Sequence, residues 1–246
     1  FERLPADADS WETCRTDVRI PYMTRHLQEN LLPYPGFSRL RVAPDGTLWG
    51  ILYSYTYRDH VAGFAAIFLT SRDSGTTWRY RSSIYYEPDK TDRFWAIRTG
   101  YTEPNLAFLP DGSLLCLLRT DDSFNRGPSY AAYSTDGGFH WTRPAQFDDR
   151  GVWPALLTLE NGVTLAAYGR PGLFLRATAD PSGRVWEERI PIVQPAEWEE
   201  RTIQAERFQD PDLPAGQMPL SDATIRMDLP ESSSHTPDSS VLDQGT

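Results

Sequence analysis

The apolar residues of this chain come in short runs bounded by Gly, Asp, Asn and Ser, a rhythm of strands and turns. The pattern predicts a short strand over residues 38–42, a turn at Asp45-Gly46, and a strand over 47–55 rich in aromatic and aliphatic residues. A loop reading TYRDHVAG follows, then a strand over 65–70 that runs into Ser71-Arg72-Asp73-Ser74-Gly75-Thr76-Thr77-Trp78. The stretch GYTEPNLAFLPDGSLLCLLRTDDSFNRGPSYAAYSTDGGFHW, from Gly100 to Trp141, repeats this grammar: two strands about Asp111-Gly112, a third strand, and a polar turn closed by an aromatic. A third copy pairs Asn161-Gly162 with a turn from Thr178 to Trp186, in which one extra residue separates Asp180 from Gly183. Recurrence at a fixed place in a hairpin pattern is the mark of a repeat architecture. Three units are expected, each a four-stranded antiparallel blade whose final strand follows its Trp.

Two of the three polar turns read S-x-D-x-G-x-x-W, and turn chemistry explains the letters. Ser and Asp oxygens bond backbone N–H groups, Gly supplies positive φ, and Trp covers the turn with apolar area. If the strands about Asp111 pair symmetrically, Glu103 and Arg119, each eight residues from the turn centre, face each other across the ladder on one face at one end of the sheet. A carboxylate and a guanidinium flanking an apolar hairpin form either a structural ion pair or part of a site.

Composition narrows the function classes. A 39% hydrophobic and 13% aromatic content is globular, and 20 Pro with 17 Gly suit many short strands joined by turns. Of the net charge of -10, most belongs to the region from Pro195 on, which holds three Arg against eleven Asp and Glu. The body is nearly neutral, with no basic stripe to neutralise phosphates, so no nucleic-acid partner is expected. No run reaches the length of a transmembrane helix, and the sequence, which opens at Phe1, shows no basic-then-apolar leader, so a signal peptide is either absent or already removed. Cys14 and Cys116 have no metal-ligand spacing, and Cys116 inside an apolar strand reads as a small core residue.

The repeated box is the Asp-box, or bacterial neuraminidase repeat, and the chain resembles the sialidases and other Asp-box β-propellers. That resemblance implies an all-β fold: a partial sialidase-like propeller of antiparallel four-stranded blades, about three of them over residues 34–193. Residues 1–33 lead into the propeller. Residues 194–246 form an acidic, Pro- and Ser-containing tail expected to be disordered, with residues 197–209 a weak candidate helix. In the family the boxes are structural and lie away from the active site, so they argue fold rather than activity.

The resemblance extends to Glu103, Asp111-Gly112 and Arg119: sialidases place a Glu before one strand of a hairpin and an Arg at the close of the other. Carried over, Glu103 is the base that activates a tyrosine nucleophile, and Arg119 is one of three arginines clamping the substrate carboxylate. Arg170, in YGRPG, is the candidate third arginine, with Arg176 a weaker choice. Arg19, in Arg19-Ile20-Pro21, matches the family's first-arginine tripeptide in letters but lies well ahead of Asp45, and Gly36 occupies the nearest expected position. Asp59, in TYRDHVAG, occupies the loop that carries the family's general acid.

The implied activity is exo-sialidase-like: removal of terminal sialic acids from glycoconjugates, with no metal and no organic cofactor. The residues leave the compartment open, and only the resemblance favours secretion. The partner is then a sialylated or other glycan. The chain departs from the family where the late-blade nucleophile belongs, for no tyrosine follows Tyr168. Slow or no turnover by this chain is therefore expected. Two rivals stand beside the sialidase reading: a non-catalytic carbohydrate-binding or protein-interaction propeller, and an Asp-box glycosidase on another sugar in which a carboxylate pair does the work.

Overall fold

The computed structural model describes residues 2–3, 9–13, 16, 18–23, 36–92, 94–121, 127–170 and 172–193. The proposed tail, the candidate helix at 197–209 and Cys14 lie outside them. A short antiparallel pair, β1 (Glu2–Arg3) and β2 (Glu12–Thr13), precedes the repeats. The first blade is β3 (Gly36–Val42), β4 (Leu48–Arg58), β5 (Val61–Ser71) and β6 (Arg79–Ile84). The second is β7 (Gly100–Phe108), β8 (Leu114–Asp121), β9 (Ser129–Ser134) and β10 (Ala145–Asp148), and the third is β11 (Val152–Thr158), β12 (Thr164–Gly169), β13 (Leu173–Thr178) and β14 (Ile190–Val193). Every pairing within a blade is antiparallel between chain neighbours. A 3-10 helix, Trp95–Ile97, lies between the first two blades. The described residues form three antiparallel four-stranded blades, part of a β-propeller.

The blades stack face to face, and β8 shows why its sequence is apolar at every position from Leu114 to Leu118. Side chains alternate between faces, so Leu114, Cys116 and Leu118 pack with Trp49, Ile51 and Phe68 of the first blade, while Leu115 and Leu117 pack with Leu156, Ala166, Tyr168 and Phe174 of the third. A strand covered on both faces reads as a continuous hydrophobic run. The first two blades also share one parallel bridge, Phe64 to Gly100. Only glycine allows it: Gly100 has φ +120°, and a Cβ there would stand 2.2 Å from the Phe64 nitrogen.

The Asp-box turns are built as their chemistry requires. Asp73 accepts from Ser71 Oγ (2.8 Å) and the Thr77 N–H (2.8 Å), and Ser71 Oγ accepts from the Gly75 N–H (2.9 Å). Asp136 accepts from the N–H groups of Phe139 and His140, both at 3.0 Å. In the third turn Asp180 takes the N–H groups of Ser182, Arg184 and Val185, each at 3.0 Å, so the extra residue is absorbed. Trp78 and Trp186 each close their own turn by donating to Gly75 O (3.1 Å) and Gly183 O (2.6 Å). Trp141 instead crosses to the first blade, donating to Ser82 Oγ (2.9 Å) and stacking on Phe68 at 4.7 Å.

Two expectations are corrected. TYRDHVAG is no loop: β4 and β5 pair through Arg58 and Val61, leaving Asp59 and His60 as a two-residue turn with φ 50° and 66°, the left-handed pair that suits strand twist. The Glu103 register also differs. Pairing is symmetric about Asp111 from Phe108 back to Asn105, opposite Leu117, but Thr102 then pairs with Arg119, so Glu103 and Pro104 form a β-bulge opposite one residue. Pro104 has no N–H to give the ladder, and a bulge is where a central strand tolerates it.

Candidate functional site

Strand direction sorts each blade into two ends. The Asp45, Asp111 and Asn161 turns and the three Asp-box turns share one end. The other collects Tyr53 and the Asp59-His60 tip from the first blade, Glu103, Arg119 and Asp121 from the second, and Trp153 and Arg170 from the third. Each blade's first strand bears a bulge there: at Ser38, at Glu103-Pro104 and at Trp153-Pro154. The bulges are tied together, Ser38 Oγ donating to Pro104 O at 2.7 Å and the Trp153 N–H to Glu103 Oε2 at 2.7 Å.

Glu103 is 6% exposed and sits at φ 48°, a conformation that non-glycine residues rarely adopt. The bulge swings its side chain back onto the ladder, where Oε1 accepts from Arg119 Nη1 at 2.5 Å. Arg119, 8% exposed, also reaches Asp121 Oδ1 with Nη2 at 2.9 Å, so one guanidinium holds two carboxylates. The Asp121 side chain is 29% exposed, and its other oxygen accepts from Thr99 Oγ1 at 3.0 Å. On the first-blade side, the half-buried Tyr53 lies on the same strand face as Ile51, its ring edge-on to Phe64 at 6.0 Å. Burial pushes its phenol above the ordinary range; the Glu103 and Asp121 charges add to this and that of Arg119 opposes it. Trp153 of the third blade is thus bonded to Glu103 through its N–H, and the Tyr53 phenol of the first blade lies in the field of the same carboxylate.

None of the other candidates that the sequence suggests pairs with Glu103 among the described residues. Arg170, φ 49° and exposed, follows β12 at the same end, and its side chain forms no hydrogen bond or ion pair among the described residues. Asp59 is exposed at the hairpin tip and paired with Arg58 Nε at 3.1 Å. It lies six residues past Tyr53, about 20 Å of strand. Arg19 is exposed on a segment whose Ile20 and Met23 pack on Ile67, on the face of the first blade turned away from the second. Arg176 donates to Phe147 O and Glu187 O, in the blade structure. The structure therefore joins Glu103 to Arg119 and does not bring Arg19 to them.

Three residues of this end escaped the sequence reading: Asp121, Tyr53 and Trp153. Trp153-Pro154 had a signal, for it stands before Asn161-Gly162 as Glu103-Pro104 stands before Asp111-Gly112. Asp121 and Tyr53 had none, because their place depends on a guanidinium and on a neighbouring blade. Among the described residues no group of three or more His, Cys, Asp or Glu could hold a metal ion, and no helix is long and apolar enough to cross a membrane.

Comparison with known proteins agrees with this architecture. The family model of the BNR repeat-like domain matches residues 22–204. No curated protein matches the sequence. Among solved structures, a Dyadobacter fermentans protein of unknown function superposes with a TM-score of 0.50 at 21% identity, over 63% of this chain and 40% of that one. An α-L-arabinanase of Penicillium chrysogenum gives 0.48 at 18% identity, over 65% and 50%. A Trypanosoma rangeli sialidase gives 0.41 at 17% identity, over 62% and 24%. The chain spans half or less of the length of each. With a family match across most of its length and the Asp-box turns in place, the chain belongs to the BNR repeat-like domain family.

Proposed function

We propose that this chain carries the sugar-facing end of a propeller glycosidase, with Glu103 and Asp121 as its carboxylates and Arg119 as the group that positions both. One observation carries the reading: a buried carboxylate on left-handed backbone, held by a guanidinium that also holds a second, more accessible carboxylate. Backbone strain concentrated at a charged pair is the pattern of a functional site rather than of a ladder ion pair. Glycosidic cleavage needs one carboxyl group to protonate the departing oxygen and a second carboxylate to attack the anomeric carbon or take a proton from water. Glu103, with both oxygens accepting hydrogen bonds, suits the second role. Asp121 shares Arg119 with Glu103 and is more exposed, whereas Asp59 is one blade away at a hairpin tip. In the acid role Asp121 must carry its proton on Oδ2, the oxygen turned from Arg119 toward Thr99, and give it to the departing oxygen.

The doubly engaged Arg119 supports carboxylate chemistry on a terminal sugar more than it supports a three-arginine clamp. A second reading, the sialidase-like one, is favoured by Tyr53: a phenol under the field of Glu103 is what a tyrosine-nucleophile mechanism uses, and Arg170 has a side chain to offer a carboxylate. The deciding experiment is a panel of aryl glycosides that includes an α-L-arabinofuranoside and a sialoside, run with the native chain, Glu103→Gln, Asp121→Asn and Tyr53→Phe. Turnover of a neutral glycoside, lowered about 100-fold or more by either carboxylate change and little by Tyr53→Phe, is expected. Sialoside turnover abolished by Tyr53→Phe selects the second reading. Binding without turnover of any member leaves a carbohydrate-binding propeller.

A further inference from the structure

We infer that Trp153 is the platform on which a sugar ring lies beside Glu103, an inference that rests on the glycan-site reading above. Trp153 has φ 51°, and for a bulky residue the left-handed region is a genuine outlier. Such strain persists only where the surroundings over-determine it. Here they do: Pro154 and the bulge fix the chain, and the Trp153 N–H is anchored on Glu103 Oε2 at 2.7 Å. The same hydrogen bond places the indole within one side-chain length of the Glu103 carboxylate.

The equivalence of the two bulges shows what is unusual. Glu103 and Trp153 share a register, a φ near 50° and a following proline. In the second blade the residue paired with the position just before the bulge, Thr102, is Arg119, and Glu103 folds down onto it. In the third blade that place belongs to Gly169, paired with Val152, where even a Cβ would meet Gly172 O at 2.1 Å. With no side chain at the place equivalent to Arg119 for it to fold onto, Trp153 is 54% exposed, although its neighbours Val152 and Pro154 are buried. A large rigid ring held open next to a buried carboxylate, with the Arg170 backbone adjoining Gly169, offers a flat apolar face to a ligand. The C–H face of a furanose or pyranose fits it, with the ring hydroxyls left to the polar groups around.

The test uses the native chain, Trp153→Phe, Trp153→Ala and Trp153→Gly, with arabinobiose and a sialyllactose as probes. Calorimetric titration should show binding weakened at least tenfold in Trp153→Ala and held within about threefold in Trp153→Phe. Fluorescence quenching by the bound sugar should be present in the native chain and lost in Trp153→Phe. On a turned-over glycoside, Trp153→Ala should raise KM and leave kcat within about threefold. Trp153→Gly, free of the strain, should melt higher than Trp153→Ala while binding as weakly. Native-like binding by Trp153→Ala, in a chain whose hydrolysis Glu103→Gln abolishes, overturns the platform alone. Hydrolysis indifferent to Glu103→Gln overturns the glycosidase reading, and the platform then stands or falls by the quenching. Failure of the native chain to bind either probe overturns both.

Discussion

The Arg119 side chain is the point at which stability and function are hardest to separate. Its guanidinium links Glu103, buried at the bulge, to Asp121 at the strand end. Replacing it with leucine leaves a buried carboxylate with one hydrogen bond, from the Trp153 N–H, and should cost about 3–5 kcal/mol in urea unfolding. Adding Glu103→Leu should recover most of that loss, because two well-packed apolar side chains replace a buried ion pair at little cost. A single Arg119→Leu within about 0.5 kcal/mol of the native chain would mean that water reaches Glu103. Cys116 offers a contrast at the same scale. Wholly buried between blades, its thiol is pushed far above the ordinary range by desolvation, and it should resist a thiol reagent until the chain unfolds.

The Asp-box turns are elements whose pH response follows from their hydrogen bonds. Thr77, by side chain and N–H, and Ser71 hold the Asp73 carboxyl down to about 2, and the Ser182 N–H and hydroxyl do the same for Asp180, also to about 2. A folded-state value below the unfolded one gives stability that is complete above the ordinary carboxylate range, near 3.8, and is lost as pH falls through 2. Thermal melts between pH 5 and 2 should therefore drop steadily. Asp73→Asn and Asp180→Asn should be less stable at pH 5 and show a flatter drop, whereas parallel curves would count against the turns as its source. These turns were legible in the sequence because every partner of Asp73 or Asp180 lies within five residues of it. The symmetric hairpin about Asp111 was legible for the same reason, as far as Asn105. The bulges were written there too, in Pro104 and Pro154, yet reading the strand through Pro104 as regular put Glu103 directly opposite Arg119. The Asp59 turn was misread because Asp-His lacks the Asn-Gly or Asp-Gly signature of a two-residue hairpin. The site itself was half legible. Glu103 and Arg119 belong to one hairpin, while Trp153 and Tyr53 reach them only after three blades have stacked.

At the scale of the whole molecule, apolar cores and pairwise hydrogen bonds join neighbouring blades, and a polar clasp at Arg41 touches all three. Arg41, on the first strand of the first blade, donates through Nε to Leu106 O (3.1 Å) and through Nη2 to Asn105 Oδ1 (2.8 Å), both in the second blade. The same Nη2 donates to Leu156 O (3.2 Å) in the third, whose N–H in turn donates to Asn105 Oδ1 at 3.3 Å. Asn105 is fully buried, so this small network is the polar seam between strands β3, β7 and β11. Neighbouring blades also meet through separate cores, one between the first and second and one between the second and third, and through pairwise hydrogen bonds such as Trp141 to Ser82 and Tyr133 to Gly183 O. Nearest-neighbour packing of that kind unfolds as one unit only if each interface is strong relative to the blades themselves. Arg41 contributes at both interfaces at once, since one guanidinium is shared by three blades. Arg41→Met keeps the apolar stem and removes the donors; it should cost about 2–4 kcal/mol, the range for lost hydrogen bonds to a charged group with buried acceptors left behind. Arg39→Met, two residues away on the same strand, is the control and should stay within about 0.5 kcal/mol. Beyond the magnitude, Arg41→Met should broaden the urea transition and separate the far-ultraviolet dichroism curve from the tryptophan fluorescence curve, because the third blade can then loosen before the first two. Equal losses in the two variants, or coincident curves in Arg41→Met, would place blade coupling in the apolar cores and the pairwise bonds rather than in Arg41.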